Sequence, residues 1–332
     1  MHKGIIFLEN VEQSTRQNVL NFVKEWESQK KHITVKTSGS TGEPKEIKLL
    51  KHHIKASAKA TIDFFKLKKN QTILLTLSAE YIAGKMMIVR ALENNMTIIV
   101  TPLQSNPLNI TLKHKIHFSA FVPLQIHSIL KNEISKANYL NIDNVIIGGG
   151  TINQQLESEI YQLTNTNFAT FGMTETISHI ALRNISKKES FYTALPHVKF
   201  TKNKNNCLII NAPLVNESKG IETTDIVELI SNTQFVWKGR ADFVINSGGI
   251  KLHPEELEKR IEHLLPKNRY YFTSIKDEIL GEKLILKIES KEEFSVADLS
   301  KKLTSILTNY ETPKSIEFIK KFKETKTGKL IR

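Results

Sequence analysis

The sequence predicts an α/β protein in two parts, a large N-terminal α/β domain followed by a small α+β C-terminal domain. Over residues 51–163, short runs rich in Ile, Val and Leu alternate with segments of helical periodicity. This alternation is typical of a largely parallel sheet covered by helices. After about residue 190, short strand-like runs alternate with polar turns. We therefore predict a boundary near 240, which gives domains over 1–239 and 240–332.

The elements of the large domain follow from spacing and β-propensity. Ile54, Ala58, Ile62 and Phe65 recur at helical spacing and predict an amphipathic helix over 51–66. The other predicted helices of this domain cover 82–94, 122–135 and 152–163. The predicted strands cover 72–77, 97–100, 144–147, 207–210, 226–230 and 234–237.

One more helix is predicted after Pro254, a residue that suits the first helical position. Glu255 and Glu256 lie in its first turn, where the helix dipole favours acids. Its buried stripe is predicted to consist of Leu257, Ile261, Leu264 and Leu265.

Composition narrows the class of protein. The 332 residues are 40% hydrophobic and 24% charged, and Cys207 is the only cysteine, which excludes an intrachain disulfide and a zinc–cysteine cluster. No apolar run has the length of a membrane span, and no signal peptide is recognisable at the N-terminus, so we expect a cytoplasmic protein. The net charge of +13 comes from lysines dispersed along the chain, so it does not indicate a nucleic-acid-binding patch.

The stretch TSGSTGEPK at 37–45 carries the first sign of chemistry. Small residues allow backbone N–H groups to converge on phosphate oxygens, and the hydroxyls add donors. A Walker A loop requires four residues between its glycines, whereas Gly39 and Gly42 are separated by two. The stretch is therefore either a flexible Ser/Gly linker or a phosphate loop of another kind.

The whole string resembles the phosphate loop of the adenylate-forming superfamily, which includes acyl-CoA synthetases, peptide-synthetase adenylation domains and luciferases. Four more segments resemble this family in the family's order. The family's loop usually lies more than a hundred residues into the chain, so its start at 37 implies a large domain shortened at its N-terminus. The resemblance implies that the loop holds the β- and γ-phosphates of ATP through Thr37, Ser38, Gly39, Ser40, Thr41, Gly42 and Lys45.

Residues 168–176, FATFGMTET, resemble the family's adenine and magnesium segment. Phe171, where the family usually has Tyr, is expected to stack on adenine beside Gly172 and Met173. Thr174 is expected to reach the α-phosphate, and Glu175 is expected to bind Mg²⁺ because a carboxylate is a hard oxygen ligand. A strand end followed by a helix cap is the competing interpretation.

Residues 223–226, TTDI, resemble the element whose aspartate, here Asp225, binds both ribose hydroxyls. The family normally has Gly at the position of Thr224. Asp225 as an ordinary turn residue is the alternative.

Residues 239–251 resemble the family's domain junction. The resemblance implies that Arg240 contacts the nucleotide and that Asp242 is the hinge of a mobile C-terminal domain. Gly248 and Gly249 are expected to let the pantetheine arm of coenzyme A pass close to the backbone.

The segment ETKTGKLIR at 324–332 resembles the family's C-terminal motif, which implies that Lys329 is catalytic. The implied reaction has two halves. A carboxylate first attacks the α-phosphorus of ATP, with Mg²⁺ as cofactor, and a thiol of coenzyme A then attacks the acyl-adenylate. An ordinary solvated lysine is the competing interpretation for Lys329.

Three segments, at 83–90, 119–125 and 178–183, resemble the compact bacterial o-succinylbenzoate–CoA ligases of menaquinone biosynthesis. The implied substrate is a small aromatic acid with a second carboxylate that stays charged and needs a partner. Lys85, Arg90, His179 and Arg183 are the candidate partners, with Phe118 as a ring contact. Gly148, Gly149 and Gly150 are expected to form a wall where the acyl group meets adenine.

Other assignments stay open at this point. Within the superfamily, the chain could be another aryl- or acyl-CoA ligase, or an enzyme that loads a carrier protein. Outside enzymes, a degenerate member could serve as a basic nucleic-acid-binding or scaffold protein.

Overall fold

The computed structural model describes residues 4–36, 46–150, 152–217, 220–266, 268–290, 295–324 and 330–332. The α-helices within these ranges are α1 Gln13–Glu27, α2 Lys51–Phe64, α3 Ile82–Glu93, α4 Pro123–Leu130, α5 Glu133–Leu140, α6 Gln154–Tyr161, α7 Pro254–Ile261 and α8 Val296–Thr304. Short 3₁₀ helices cover Thr174–Thr176, Ile185–Lys187, Ala241–Phe243 and Glu262–Leu264.

The strands fall into a large sheet, a hairpin and a smaller sheet. The strands of the large sheet are β1 Ile5–Phe7, β4 Thr72–Leu75, β5 Thr97–Val100, β6 Ile116–Phe121, β7 Ile142–Ile147, β8 Thr166–Gly172, β9 His179–Asn184, β10 Tyr192–Ala194, β11 Lys199–Lys202, β12 Cys207–Asn211, β13 Ile221–Ser231 and β14 Gln234–Arg240. The hairpin pairs β2 His32–Lys36 with β3 Glu46–Leu50. The smaller sheet contains β15 Ile245–Ser247, β16 Ile250–Leu252, β17 Arg269–Asp277, β18 Gly281–Glu289 and β19 Ser315–Ile319.

The large sheet changes character halfway across. Its described strands follow the order β1-β5-β4-β6-β7-β8-β9-β10-β14-β13-β12-β11. The pairs from β1 to β8 are parallel, and those from β8 to β11 are antiparallel. Ligands of open α/β sheets bind outside the carboxyl ends of the parallel strands, so the segments after β7 and β8 are where a site is expected.

Separate apolar cores support the two sheets. Helices α1 to α3 bury Phe22, Ile54 and Met87 against the parallel strands in one cluster, and α4 to α6 pack in a second cluster on residues such as Phe121. The smaller sheet has its own cluster, in which Leu257 of α7 and Leu303 of α8 are buried. The predicted boundary near 240 lies between β14 and β15, and the division into two domains stays a prediction.

The helices and strands show where sequence spacing was sufficient. The helices predicted over 51–66, 82–94 and 152–163 and the strand predicted at 97–100 are present with small shifts of their ends. A single helix over 122–135 was wrong, because α4 ends at Leu130 and α5 begins at Glu133. Between them, the side chain of Asn132 accepts a hydrogen bond from Ser135 N at 3.0 Å, which caps a new helix. Within the described residues, none of the helices is both long enough and apolar enough to cross a bilayer.

Candidate active site

The segment after β8 places the predicted adenylate residues in a tight turn. Phe171 is half-buried, with ring centroids 5.0 Å from Phe235 and 5.7 Å from Tyr192. Gly172 and Met173 follow, and Thr174 and Glu175 begin the 3₁₀ helix, where Glu175 is exposed. An exposed carboxylate beside the carboxyl end of a strand fits the single-carboxylate binding typical of nucleotide-bound Mg²⁺.

A strained turn at Ile177 follows this helix directly. Ile177 has φ 68° and ψ −54°, and Ser178 N donates to Thr176 O at 2.7 Å, which defines a γ-turn with a positive φ. This conformation is costly for a β-branched residue and persists only where the surroundings impose it. The Ile177 side chain is buried in the main core, and Thr176 bonds both flanking residues, Met173 and Ser178. The turn therefore joins the predicted magnesium ligand rigidly to the strand that begins at His179.

The predicted ribose residue Asp225 lies buried on β13. One of its carboxylate oxygens accepts a hydrogen bond from Trp237 Nε1 at 2.8 Å. Burial raises the pKa of Asp225, and the hydrogen bond from Trp237 opposes this rise. Sequence reasoning missed Trp237. The signal that could have found it is its place on β14, the strand that pairs with the Asp225 strand β13.

Arg240 and Asp242 meet at the end of β14. Arg240 Nη2 donates to Asp242 Oδ2 at 2.5 Å and to Thr224 Oγ1 at 2.7 Å, and Thr224 donates to Asp242 at 2.9 Å. The hydrogen bond from Arg240 lowers the pKa of Asp242. Asp225 pairs with Arg240 across the two strands, so the structure brings together the predicted ribose, nucleotide and hinge residues. Thr224, which departs from the family's Gly, ties them to one another.

A second group of residues surrounds Arg90 of α3. Arg90 is 1% exposed, and its Nη2 donates to Ser178 Oγ at 3.0 Å. Its Nη1 lies 3.6 Å from Met87 Sδ, its Nε has no hydrogen-bond partner, and no carboxylate of the described residues lies within ion-pair distance. Burial lowers the pKa of Arg90 to about 9, which leaves it charged at neutral pH.

His179 and Phe118 complete this group. His179 Nδ1 lies 3.3 Å from Ser178 Oγ, and its Nε2 lies 3.3 Å from Thr61 Oγ1. Burial, together with the charge of Arg90, holds the pKa of His179 well below its usual range, so the ring is neutral. The Arg90 guanidinium lies 5.9 Å from the centroid of the Phe118 ring, which is fully buried. His179 also borders an apolar cavity of about 170 Å³ that Ala60 and Leu195 help to line.

The other two predicted cations lie elsewhere. Lys85 Nζ lies 4.4 Å from the centroid of Phe22 on α1, away from the Arg90 group. Arg183 donates to both carboxylate oxygens of Glu157, at 2.6 and 2.9 Å. Because both terminal guanidinium nitrogens of Arg183 already bind Glu157, a substrate role for Arg183 is disfavoured. The position of Lys85 beside Phe22 likewise disfavours a substrate role for Lys85.

The glycines predicted to line the site have definite structural roles. A Cβ at Gly148, after β7, would lie 2.2 Å from Thr170 Oγ1, so the close approach of β8 requires glycine there. Gly149 and Gly150 follow as exposed residues of the same loop. Gly248 and Gly249 have φ of 58° and 81° between β15 and β16, as a two-residue type I′ hairpin turn requires. The roles toward acyl group, adenine and pantetheine stay predictions.

Two predicted features fall outside the described residues. The phosphate loop at 37–45 does so, although its flanking strands pair from His32↔Leu50 to Lys36↔Glu46. Lys329 also does so, whereas Leu330, Ile331 and Arg332 are described.

One other group has the donors for a metal. The side-chain ligand atoms of His52, His53 and Glu217 lie within 4.8 Å of one another. Imidazole nitrogens suit zinc and similar transition metals, while Mg²⁺ prefers oxygen, so this group does not compete with Glu175 as the predicted magnesium ligand.

Comparisons with known proteins identify the class. A family model described as AMP-binding enzyme matches residues 25–204, more than half of the chain. The solved structure of an acyl-CoA synthetase (AMP-forming)/AMP-acid ligase II-like protein from Dyadobacter fermentans is 33% identical, with a TM-score of 0.67, and the match covers 97% of this chain and 94% of that one. The chain belongs to the AMP-binding enzyme family, which confirms the predicted adenylate-forming superfamily and α/β fold.

Two further similar proteins are both named as ligases that join coenzyme A to o-succinylbenzoate. The 2-succinylbenzoate–CoA ligase of Lactococcus lactis is 25% identical over 90% of this chain, which spans 69% of that relative. The o-succinylbenzoate coenzyme A synthetase of Bacillus subtilis, solved with ATP and magnesium, is 18% identical and has a TM-score of 0.77 over 90% of this chain and 68% of that one. At that identity the second likeness concerns the fold. The chain thus spans about two thirds of the length of these relatives.

Proposed function

We propose that this protein joins coenzyme A to 2-succinylbenzoate, an aromatic acid with two carboxylates. In its class, the chain is an AMP-forming acid–CoA ligase. The choice of acid goes beyond the class. It is carried by Arg90, which is buried and has no carboxylate partner within the part of the chain that the structure describes.

Arg90 indicates a second carboxylate because a buried ion without a counter-ion is expensive. The desolvation penalty of such a charge is several kcal/mol, and a hydrogen bond from one hydroxyl offsets only part of it. Arg90 has Ser178 and a thioether as its neighbours and an unused Nε–H. A substrate carboxylate would supply the missing acceptor and the missing negative charge.

The surroundings of Arg90 favour an aromatic acid with a fixed charge. His179 is neutral, so it does not compete for the carboxylate, and its contact with Ser178 helps to hold the hydroxyl that orients Arg90. The apolar cavity beside His179 offers a dry surface to a ring. The fully buried Phe118 lies behind the guanidinium and contributes apolar packing.

The nucleotide residues fit the two-step reaction. In the first step, the acid attacks the α-phosphorus of ATP held by the 37–45 loop, and pyrophosphate leaves. Asp225 would accept hydrogen bonds from the ribose hydroxyls through its second oxygen, since Trp237 occupies the first. Thr174 and Lys329 would stabilise the charge that develops on the α-phosphate. Mg²⁺, held through Glu175, would supply further neutralisation of the phosphates.

In the second step, the thiol of coenzyme A must reach the acyl-adenylate after pyrophosphate has left. Rotation about Asp242 would withdraw Lys329 and bring the Gly248–Gly249 turn to the acyl-adenylate. The sulfur of coenzyme A then attacks the acyl carbonyl, and AMP leaves. Because Arg240 and Thr224 both bond Asp242 in this structure, the hinge is held by specific contacts.

The decisive experiment compares two acids that differ by one carboxylate. We expect ATP-dependent CoA ligation of 2-succinylbenzoate, and weaker ligation of 3-benzoylpropanoate, which lacks the ring carboxylate. Arg90→Met should lower kcat/KM for 2-succinylbenzoate by about 100-fold and should change kcat/KM for 3-benzoylpropanoate much less. Lys85→Met, on the same helix, is the matched control and should affect neither.

Equal losses for both acids would overturn the role of Arg90. Activity confined to other members of an acid panel, or pyrophosphate release without use of CoA, would instead favour another acyl-CoA ligase or a carrier-loading enzyme. Salt-sensitive nucleic-acid binding without ATP–pyrophosphate exchange would favour the non-enzyme alternative.

A further inference from the structure

Arg332 is anchored in the C-terminal part of the molecule by two glutamates of α7. Its Nη2 lies 2.6 Å from Glu258 Oε2, and its Nη1 lies 3.9 Å from Glu255 Oε1. The side chains of Arg332, Glu255 and Glu258 are 17%, 11% and 15% exposed. Glu258 is held in turn by Phe272 N, which donates to its other oxygen at 2.8 Å. A guanidinium with this many fixed partners holds its backbone in one place.

The chain before residue 325 is anchored as well. Glu324 accepts a hydrogen bond from Arg269 of β17, and Phe322 N donates to Glu289 Oε2 at 2.8 Å. The two anchored ends meet, since Glu324 pairs with Leu330 as an antiparallel bridge and Ile331 N donates to Lys323 O at 3.0 Å. The described residues on both sides of 325–329 are therefore fixed to the small sheet and to each other.

Lys329 is bonded directly to Leu330, and consecutive Cα atoms are about 3.8 Å apart. The contacts of Leu330 and Arg332 therefore hold the residues that directly follow Lys329 in the chain. Catalytic groups that stabilise developing charge lose much of their effect when displaced by about 1 Å, so this covalent attachment matters for chemistry.

Arg332 also contacts the segment that contains the predicted hinge. Its guanidinium lies 5.0 Å from the centroid of Phe243, within the range of a cation–π interaction. Phe243 ends the 3₁₀ helix that contains Asp242, and the Arg240 guanidinium lies 6.0 Å from the same ring. One aromatic ring thus connects the anchor of the C-terminal motif to the nucleotide and hinge residues.

We propose that Arg332 is a positioning residue for the adenylation step. It acts through Lys329, and its contact with Phe243 links it to the hinge segment. This inference rests on the proposed function, because it assumes that Lys329 serves adenylation. It assigns to Arg332 a role that requires no contact with substrate. Its effect is confined to the first half-reaction, since Lys329 is withdrawn in the second.

The test separates the two half-reactions. Arg332→Ala should lower ATP–pyrophosphate exchange at least about tenfold, mainly in kcat, and should leave thioester formation from supplied acyl-adenylate within about twofold. Arg332→Lys keeps the charge but loses the fork and the flat stacking, so it should restore exchange in part. Phe243→Leu keeps apolar bulk and should reduce exchange alone by a smaller factor.

Arg260→Ala is the matched control. Arg260 lies on the same helix as Glu258 and makes an ion pair of equal length, 2.6 Å, with Glu311. Its hydrogen-bond partners among the described residues are Glu311 and Ile306, which belong neither to the C-terminal motif nor to the hinge. It should leave both half-reactions within about twofold and should lower thermal stability less than Arg332→Ala does, because its pair is more exposed.

Each outcome bears on a different assumption. Equal loss of both half-reactions in Arg332→Ala, or no loss of exchange in Arg332→Lys and Phe243→Leu, overturns the positioning role. Lys329→Ala provides the separate check: if that variant retains exchange, the proposed function of the motif fails, whereas loss of exchange in Lys329→Ala but not in Arg332→Ala refutes only the present inference.

Discussion

Arg90 and Arg332 are both largely buried arginines, and they differ in what surrounds them. Arg332 lies between two glutamates and two aromatic rings. Arg90 has a hydroxyl and a thioether, and none of the described carboxylates lies within ion-pair distance. The contacts of Arg332 are those of a structural ion pair, whereas the contacts of Arg90 fit the role toward a substrate anion that we propose for it.

Asp225 is the acidic counterpart of Arg90. It is buried, its pKa is raised by desolvation, and it accepts a hydrogen bond from the indole of Trp237 on the neighbouring strand. Its other oxygen is left to the predicted ribose hydroxyls. Arg90 and Asp225 therefore each keep one polar atom available on the proposed substrate side of the molecule, whereas Arg332 has two glutamates of α7 as its neighbours.

The largest expected effect is that substitution of the two arginines changes the free energy of unfolding in different directions. Arg332→Met leaves Glu258 and Glu255 buried without a cation and should lower the free energy of unfolding by about 3 kcal/mol. Arg90→Met removes a buried, uncompensated charge at similar volume and should leave the free energy of unfolding unchanged or raise it by about 1 kcal/mol. Urea unfolding of both variants at pH 7 measures this. A destabilised Arg90→Met would mean that Arg90 is a structural residue like Arg332.

The next effect concerns the pH dependence of the Arg332 pair. Burial raises the pKa of Glu258 to about 7 even though Arg332 and Phe272 N oppose the shift, and Glu255 adds to it. Since the folded pKa exceeds the unfolded one, this group stabilises the fold at low pH, and the contribution is lost as the pH rises from about 4.5 to about 7.

Glu258→Gln removes this titration. We expect the stability of the wild type relative to Glu258→Gln to fall with pH across that window, with a slope of at most about 1.4 kcal/mol per pH unit. Denaturant unfolding at pH 5, 6, 7 and 8 gives the slope. Glu311→Gln, which breaks the Arg260 pair, is the control. Identical profiles for wild type and Glu258→Gln would place the Glu258 pKa in the ordinary range.

A smaller effect is expected at the acidic counterpart. Trp237→Phe keeps the ring and removes the donor to Asp225, which should raise the KM for ATP about fivefold to tenfold because the carboxylate loses its fixed orientation. The KM for the acid should not change. Phe200→Leu, at a buried aromatic of β11 in the same apolar cluster, offers a packing control. An unchanged KM for ATP would argue against the ribose role of Asp225.

The smallest effect concerns Arg240, which is half-buried and paired. Thr224→Gly restores the residue that is usual in the family and deletes the hydroxyl shared by Arg240 and Asp242. Exposed pairs of this kind contribute less than about 1 kcal/mol, so stability should change little. The ratio of the two half-reaction rates should shift by about twofold to threefold, as expected for a looser hinge. Thr223→Gly would control for backbone flexibility in the same strand.

The sequence was sufficient where local rules decide the structure. Helical spacing identified α2 and α3, and the adenylate motifs fall at the carboxyl end of β8 and on β13 and β14, where the topology brings them together. Spacing failed at 122–135, because Asn132 can end one helix and cap the next, and apolar periodicity continues across the break.

The sequence could not choose among the four candidate cations. Lys85 and Arg90 share one helix, and only the packing shows that one faces Phe22 and the other faces Ser178. Arg183 was a candidate until its partner, Glu157, was placed beside it by the pairing of distant elements. Trp237 and Arg332 were missed for the same reason, since their importance depends on which carboxylates they meet.

The turn at Ile177 has a consequence for which acids can react. Glu175 and Ser178 are three residues apart. In the proposed function, Glu175 would hold Mg²⁺ at the phosphates beside the activated carboxylate, and Ser178 would orient Arg90 toward the ring carboxylate. A flexible link would let these two contacts drift apart or together to suit any acid. A strained and buried link resists such drift, so under the proposed function we expect the backbone at Ile177 to favour acids whose two carboxylates have one particular separation.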